Sequence, residues 1–356
     1  MDNARRIDRA IVITTIHAGS AGVDAFSTTP GWRLIVAGDA KTPPLEAAGA
    51  YDFLPLDAQF GLGRRFGLEL PRLLPENHYA RKNAGYLAAI ASGASVIYET
   101  DDDNAPLDHW SPVPDPRSPF TSTHTLTPGD DDATTCNIYA HFAPGSGCWP
   151  RGYPLERVAH EAEPRMIVGG AHEVGVWQGM ADDDPDVDAI WRLTRPGQVR
   201  FAQRDPVSLP ARIWCPINSQ NTCWRREAFR WLYLPATTTM RVCDILRGYV
   251  AQRCLWADDL RVGFLGATVR QERNEHDLLR DLDEETLLYT RTSELLRLLD
   301  GLPVEEWAPD ERLVSIYRAL ATAGFVHRKE MDLVEAWSDD IERLLEAKAA
   351  SREAAA

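Results

Sequence analysis

Three adjacent carboxylates, Asp101-Asp102-Asp103, come directly after an apolar run, Ala94-Ser95-Val96-Ile97-Tyr98. Neighbouring carboxylates repel one another, and at the interior edge of a fold that costs stability unless a cation compensates it. A divalent ion with hard oxygen ligands is the natural compensator. At the carboxyl end of a strand such an ion can bridge to a diphosphate and stabilise a departing nucleoside diphosphate as a Lewis acid. A solvated acidic turn is the plainer alternative, and the strand leading straight into the run favours the metal. The later cluster Asp182-Asp183-Asp184-Pro185-Asp186 follows no comparable strand pattern and contains proline, so it reads first as a polar loop.

A second set of polar residues could serve a nucleotide. Asp39 and Lys41 follow another apolar run, and Arg81, Lys82 and Asn83 lie near the start of the helix that feeds the acidic strand. A nucleotide needs an acceptor for its base or ribose and cations for its phosphates. Ordinary ion pairs would explain the same residues equally well. No G-x-x-x-x-G-K-[ST] occurs, and no G-x-G-x-x-G opens a helix, which disfavours a P-loop enzyme and a dinucleotide dehydrogenase. Hydrolase and zinc-protease readings have no G-x-S-x-G or H-E-x-x-H to rest on. The six cysteines form no C-x-x-C pair and read as reduced thiols.

The elements that must position these residues follow from the hydrophobic pattern. Ile11–Ile16 reads as a strand running into a loop and a capped helix, Trp32–Ala37 as a second strand and Tyr51–Leu56 as a third. Residues 79–92 read as a helix stopped by Gly93. Strands separated by helix-length intervals argue for an α/β fold with a mostly parallel sheet, whose ligands sit at the carboxyl ends of strands. Residues 105–155 are rich in Pro, Gly, Ser, Thr and Asp without a sustained period, and read as a long irregular loop of the kind that often forms a lid or binding surface. Residues 241–256 have helical spacing and 261–269 a strand pattern. Three amphipathic segments then suggest a domain over 1–277 and a C-terminal helical subdomain over 278–356, through which a homodimer is expected.

Composition bounds the partners. Lys+Arg 38 against Asp+Glu 53 gives a net charge of −15, so nucleic acid and anionic membrane surfaces are poor partners. An anionic small molecule would need a local device, a metal ion or a few placed cations. No long apolar stretch suggests a transmembrane segment, and the polar N-terminus does not read as a leader, so the expected location is cytoplasmic.

Taken in order, IVITTI, GWRLIVAGDAKTP, YARKNAGYLAAIASGASVIYETDDDN, QGMADDDPDVDAIWRLT, RVCDILRGYVAQRCLW and ATVRQERNEHDLL resemble the STELLO-like glycosyltransferases across roughly residues 10–280. A more distant likeness is to the reversibly glycosylated polypeptides, the UDP-arabinopyranose mutases. Both resemblances imply the GT-A architecture, a nucleotide-binding α/β/α sandwich whose D-x-D motif holds Mn²⁺ or Mg²⁺ on a nucleotide-sugar diphosphate. Carried over, they make Asp101 and Asp103 the D-x-D carboxylates and Asp102 a ribose or metal contact. Thr14, Thr15 and Asp39 would surround the nucleoside, with Lys41 nearby, while Arg81 and Lys82 would face the diphosphate or donor sugar. Asp244 would be the acceptor's general base or a helix N-cap, with Asp258 and Asp259 as competing carboxylates, and His276 would reach the metal. The implied function is metal-dependent transfer of a hexosyl or pentosyl group, most naturally from a UDP-sugar, to a hydroxyl of a glycan or small-molecule acceptor. The alternatives are a UDP-pyranose/furanose mutase that becomes glycosylated on Arg81, and a non-catalytic scaffold that binds nucleotide-sugar.

Overall fold

The computed structural model describes residues 8–44, 51–159, 162–195, 197–272 and 277–353, with side chains through 347. In chain order the elements begin with β1 (Arg9–Thr14), α1 (Ala21–Ser27), β2 (Arg33–Ala37), β3 (Asp52–Leu54), α2 (Leu56–Phe66), α3 (Leu70–Leu73), α4 (Lys82–Ala91) and β4 (Val96–Thr100). They continue with β5 (Asn104–Pro106), β6 (Thr121–Thr127), α5 (Ile138–Phe142), α6 (Leu155–Val158), β7 (Arg165–Asp182), α7 (Ala189–Thr194), β8 (Val207–Ser208) and β9 (Asn221–Arg225). The remainder is α8 (Cys243–Ala257), β10 (Arg261–Gln271), α9 (Leu278–Glu284), α10 (Thr286–Asp300), α11 (Pro309–Ala323) and α12 (Glu330–Glu353). The fold is α/β, and the chain divides into two compact units. Unit one comprises Met1–Asp102, Trp224–Thr238 and Ala308–Ala356, and unit two comprises Asp103–Cys223 and Thr239–Trp307.

Unit one contains four parallel strands in the order β3-β2-β1-β4. The chain builds outward from β1 to β3 and then returns to add β4 on the other side of β1. The place where strand order reverses in this way leaves a crevice at the strands' carboxyl ends, where open α/β sheets take ligands. Helix α4 can lie close on β1 because Gly85 faces Val12, where an added Cβ would meet Val12 Cγ1 at 2.6 Å. A 3₁₀ turn at Tyr79–Arg81 precedes α4, so the helix expected over 79–92 is regular only from Lys82. Ser20 caps α1 by accepting from the Val23 amide at 3.1 Å, as the polar start of that segment implied.

Unit two is built on the parallel pair β7 and β10, with β6 antiparallel to β7 and β5 and β8 antiparallel to β10. Two sequence expectations change here. The 105–155 segment contains the strand β6 and the helix α5. Its strand was hidden because Ser122 and Leu126 alone in TSTHTLT are buried, so no apolar alternation shows. The cluster at 182–186 stands directly at the end of the 18-residue strand β7. The sequence reads as two short strand segments there, RMIVGG and VGVWQGM, because the first seven residues are exposed and interrupted by Gly169 and Gly170, both at positive φ.

The helical segment 278–356 is shared between the units. In unit two, Arg253 from α8 donates to the carbonyls of Leu299 at 3.0 Å and Leu302 at 2.6 Å, which anchors the end of α10. In unit one, Asp340 of α12 accepts from the backbone amides of Glu69 and Leu70 at the start of α3, each at 2.9 Å. Among the described residues no helix is long and apolar enough to cross a membrane.

Candidate functional site

In unit one the acidic run arrives where β1 and β4 end side by side. Thr15, just past β1, donates its hydroxyl to Asp102 Oδ2, accepts from the His17 amide at 3.1 Å, and gives its carbonyl to Thr42 Oγ1 at 2.6 Å. Asp101 Oδ1 accepts from Tyr79 OH at 2.6 Å and from Lys82 Nζ at 3.0 Å. Lys82 Nζ also donates to Tyr79 OH at 2.8 Å and lies 4.9 Å from the centre of that ring. The Lys82 side chain is fully buried, whereas that of Asp101 is 28% exposed. A cation is thus built in beneath the carboxylate, leaving the outer part of the group to solvent.

Asp39 has a bracing role. Its carboxylate accepts from the amides of Ala40 at 2.6 Å, Asn77 at 2.7 Å and His78 at 2.9 Å, tying the loop before Tyr79 to the end of β2. Thr14 spends its hydroxyl on the Ala37 carbonyl at 3.0 Å, and Lys41 is exposed on the loop after β2. Arg81 does not face the crevice chemistry expected of it. It is 1% exposed, and its guanidinium donates to the carbonyls of Pro71 at 2.8 Å, Leu74 at 2.7 Å and Pro75 at 3.1 Å. Burial lowers its pKa, as expected for a cation whose partners are mostly neutral carbonyls. Arginine and lysine look alike in a charge pattern, and both are buried here, so their partners separate the roles: backbone carbonyls for Arg81 and the Asp101 carboxylate for Lys82.

In unit two Asp103 opens a connected polar chain. Its Oδ2 accepts from Gln271 Nε2 at 2.8 Å, and Gln271 Oε1 accepts from Gln220 Nε2. The Gln220 amide donates to Asn218 Oδ1 at 3.0 Å, and Asn218 Nδ2 donates to Asp186 Oδ2 at 2.8 Å. Arg151 closes the chain by pairing with Asp186 through Nε at 2.7 Å and Nη2 at 2.8 Å, and with Asp244 through Nη1 at 3.1 Å and Nη2 at 3.0 Å. Asp244 also accepts from the amide and hydroxyl of Ser219, each at 3.4 Å. Burial alone would raise the Asp186 carboxyl, but the charge and hydrogen bonds of Arg151 outweigh it and hold the group below its ordinary range. Two further residues on, Asp188 caps α7 through the Trp191 amide at 2.8 Å, and burial pushes its carboxyl up to about 6.

The expected catalytic carboxylates therefore separate. Asp244 lies in the first turn of α8, 5% exposed and committed to Arg151, so it would have to leave a buried ion pair to take a proton. Asp258 and Asp259 lie at the other end of this 15-residue helix, about 22 Å away by helical rise. They precede β10, whereas Gln271 and Asp103 meet at its far end, 11 residues on and about 33 Å along the strand. Asp259 has φ 57° and pairs with Arg261 at 3.1 Å, which makes it part of the turn into β10. His276 lies outside the described residues. Among the described residues no three His, Cys, Asp or Glu side chains converge as a preformed metal cage.

Sequence reasoning missed Tyr79, Arg151, Asn218, Gln220 and Gln271. The segment IWCPINSQNTCW was visibly polar between apolar neighbours, and a polar run that packs inside must be hydrogen-bonded, which was the available signal. Arg151 gave none, since both of its carboxylate partners are distant along the chain.

Residues 241–348 match the family model of the STELLO glycosyltransferases. The chain is 30% identical over 354 residues to the probable glycosyltransferase STELLO1 of Arabidopsis thaliana, covering 94% of this chain and 44% of that protein. It is 29% identical over 355 residues to the probable glycosyltransferase STELLO2 of the same plant, covering 94% and 45%. The chain thus spans less than half the length of the curated relatives it matches, and the matched family segment contains α8, β10 and the C-terminal helices. Over nearly all of its own length it is similar to these STELLO glycosyltransferases.

Proposed function

We propose that this chain moves a sugar from a nucleotide-sugar donor, a UDP-sugar in the first instance, to an acceptor hydroxyl. The observation that carries this reading is the Thr15–Asp102 bond at the β1/β4 switch point, which fixes a carboxylate where an α/β sheet takes its ligand. Asp101 and Asp102 are hard, partly exposed oxygen donors held by Tyr79, Lys82 and Thr15. They are too few for an all-protein cage, and they suit Mg²⁺ or Mn²⁺, which commonly takes one or two carboxylates and completes its shell with substrate phosphate and water. Asp103 joins them in this proposal on the D-x-D spacing. When bound, the ion would offset diphosphate charge and stabilise the leaving nucleoside diphosphate.

The protein's own residues do the rest. Lys82 and Tyr79 fix the rotamer of Asp101, Thr15 fixes Asp102, and Asp39 braces the loop that leads into Tyr79. We assign Asp244 to positioning, as the second anchor of Arg151. The mutase alternative loses its chemical basis with Arg81, whose guanidinium is enclosed by backbone carbonyls.

Thermal denaturation with UDP, GDP, dTDP and CDP, each with and without Mn²⁺, tests this. A ligand at about a hundred times its Kd that binds only the native state adds about 2.7 kcal/mol. One nucleotide should raise the Tm by several degrees only with metal present, and Asp102→Asn should abolish the rise. No rise with any nucleotide, or an equal rise in Asp102→Asn, contradicts the proposal.

A further inference from the structure

Unit two carries a cleft of about 520 Å³ that none of the site residues above occupies, lined by Phe142, Ser146, Trp191, Arg195, Gln198 and Arg200 among others. Its volume is in the range of small-ligand pockets, and it is an open cleft whose lining mixes polar and apolar groups about equally. In a chain of net charge −15, the charged residues among the described ones that line it are two arginines. Local cations of this kind are the device an acidic protein needs to hold a small anion.

Both guanidinium groups are positioned before any ligand arrives. Arg200, with 68% of its side chain exposed, pairs with Asp183 at 2.7 Å and with Asp182 at 3.8 Å. Arg195 donates to the Gly147 carbonyl and stacks 5.4 Å from the centre of the Trp149 ring. Gly147 makes that placement possible, since it has φ +62° and an added Cβ would sit 2.5 Å from Arg195 Nη1. Each arginine still has donors in its planar fork beyond those bonds, and such forks match carboxylate and phosphate oxygens.

Within unit two the cleft stands at the end of β7. Val199, on its wall, exchanges backbone hydrogen bonds with Asp183 at 2.9 and 3.2 Å, just past β7, and the Phe201 amide donates to Asp182 at 2.9 Å. Asp182 is in register with Arg270, the neighbour of the Gln271 that holds Asp103.

We infer that this cleft holds an anionic, sugar-sized acceptor, a uronate or a sugar phosphate, with its charged group on Arg195 and Arg200. The inference rests on the glycosyl-transfer reading for the word acceptor, and on the cleft alone for the anion. Calorimetric titration of the full chain with glucuronate, glucose 6-phosphate and glucose, and separately with UDP and Mn²⁺, tests it.

One of the two anions should bind, more weakly as salt rises, and the comparison between them identifies carboxylate or phosphate as the recognised group. Arg195→Gln and Arg200→Gln should each weaken that binding roughly tenfold or more while leaving UDP binding intact. Arg195→Lys should restore part of it, and Gly147→Ala, which displaces Arg195 without removing charge, should weaken it too. Equal binding of glucose, or unchanged anion binding in both glutamine variants, overturns the proposal. Loss of UDP binding in those variants also overturns it, because the cleft would then be a donor subsite. Anion binding by a protein that takes no nucleotide would sink the transfer reading, and with it the acceptor role, while supporting the cleft's preference for anions.

Discussion

The two polar regions use the same residue types to opposite ends. In unit one, Asp101 sits above a buried lysine with 28% of its side chain in solvent, and the run is held from beneath by Tyr79, Lys82 and Thr15. In unit two, Arg151 is locked between Asp186 and Asp244, and the three side chains are between 5% and 9% exposed. A carboxylate that must meet a ligand keeps an open side, and one that must hold a neighbour has every oxygen engaged. That contrast, and not the count of acidic residues, separates the candidate reacting groups from the positioning ones.

Replacing the cations tests the contrast most strongly. Arg151→Met strips two buried carboxylates of their shared partner and should cost roughly 3–5 kcal/mol, read as a large fall in the denaturation midpoint. Lys82→Met leaves a carboxylate that solvent can reach, and should cost about 1–2 kcal/mol. Equal costs would break the comparison. A smaller difference is expected between the carboxylates themselves. Asp244→Asn should lower stability by about 2 kcal/mol, whereas Asp102→Asn should change it by less than about 1 kcal/mol and act on nucleotide binding instead. Asp244→Asn with full stability and no transfer activity would return Asp244 to the role of base.

The remaining effect is one of pH. Burial pushes the carboxyls of Asp188 and Asp340 each up to about 6, so the folded state holds protons there that the unfolded chain releases near its ordinary carboxylate range. Stability from these two groups is therefore fully present below that range and is lost as pH rises through 6, by about 1 kcal/mol per group between pH 5 and 7. Asp186 has the opposite sign, since its lowered carboxyl contributes above the ordinary range and loses that contribution as pH falls below it. The midpoint should thus rise from pH 7 to 5 and fall in stronger acid. Asp188→Asn, which keeps a capping side chain, should flatten part of the rise.

The strand-end loops that carry Thr15, Asp39 and the acidic run were legible because β-branched runs end abruptly in polar residues there. The switch point was not, because strand order is a property of pairing, and the sequence does not show that β4 returns to the far side of β1. Arg81 read as a phosphate clamp because charge is visible in a sequence and its partners, here the carbonyls of Pro71, Leu74 and Pro75, are not. The Arg151 pairs were invisible for a related reason, with partners 35 and 93 residues away. Asp258 and Asp259 competed with Asp244 only until the helix between them had a length.

The most direct test of the central claim is calorimetric titration of UDP into the wild-type chain, Thr15→Val and Asp102→Asn, with and without Mn²⁺. Metal-dependent binding is expected of the wild type, weakened in Thr15→Val and lost in Asp102→Asn. Binding of equal strength in all three proteins would contradict a nucleotide site at the β1/β4 switch point.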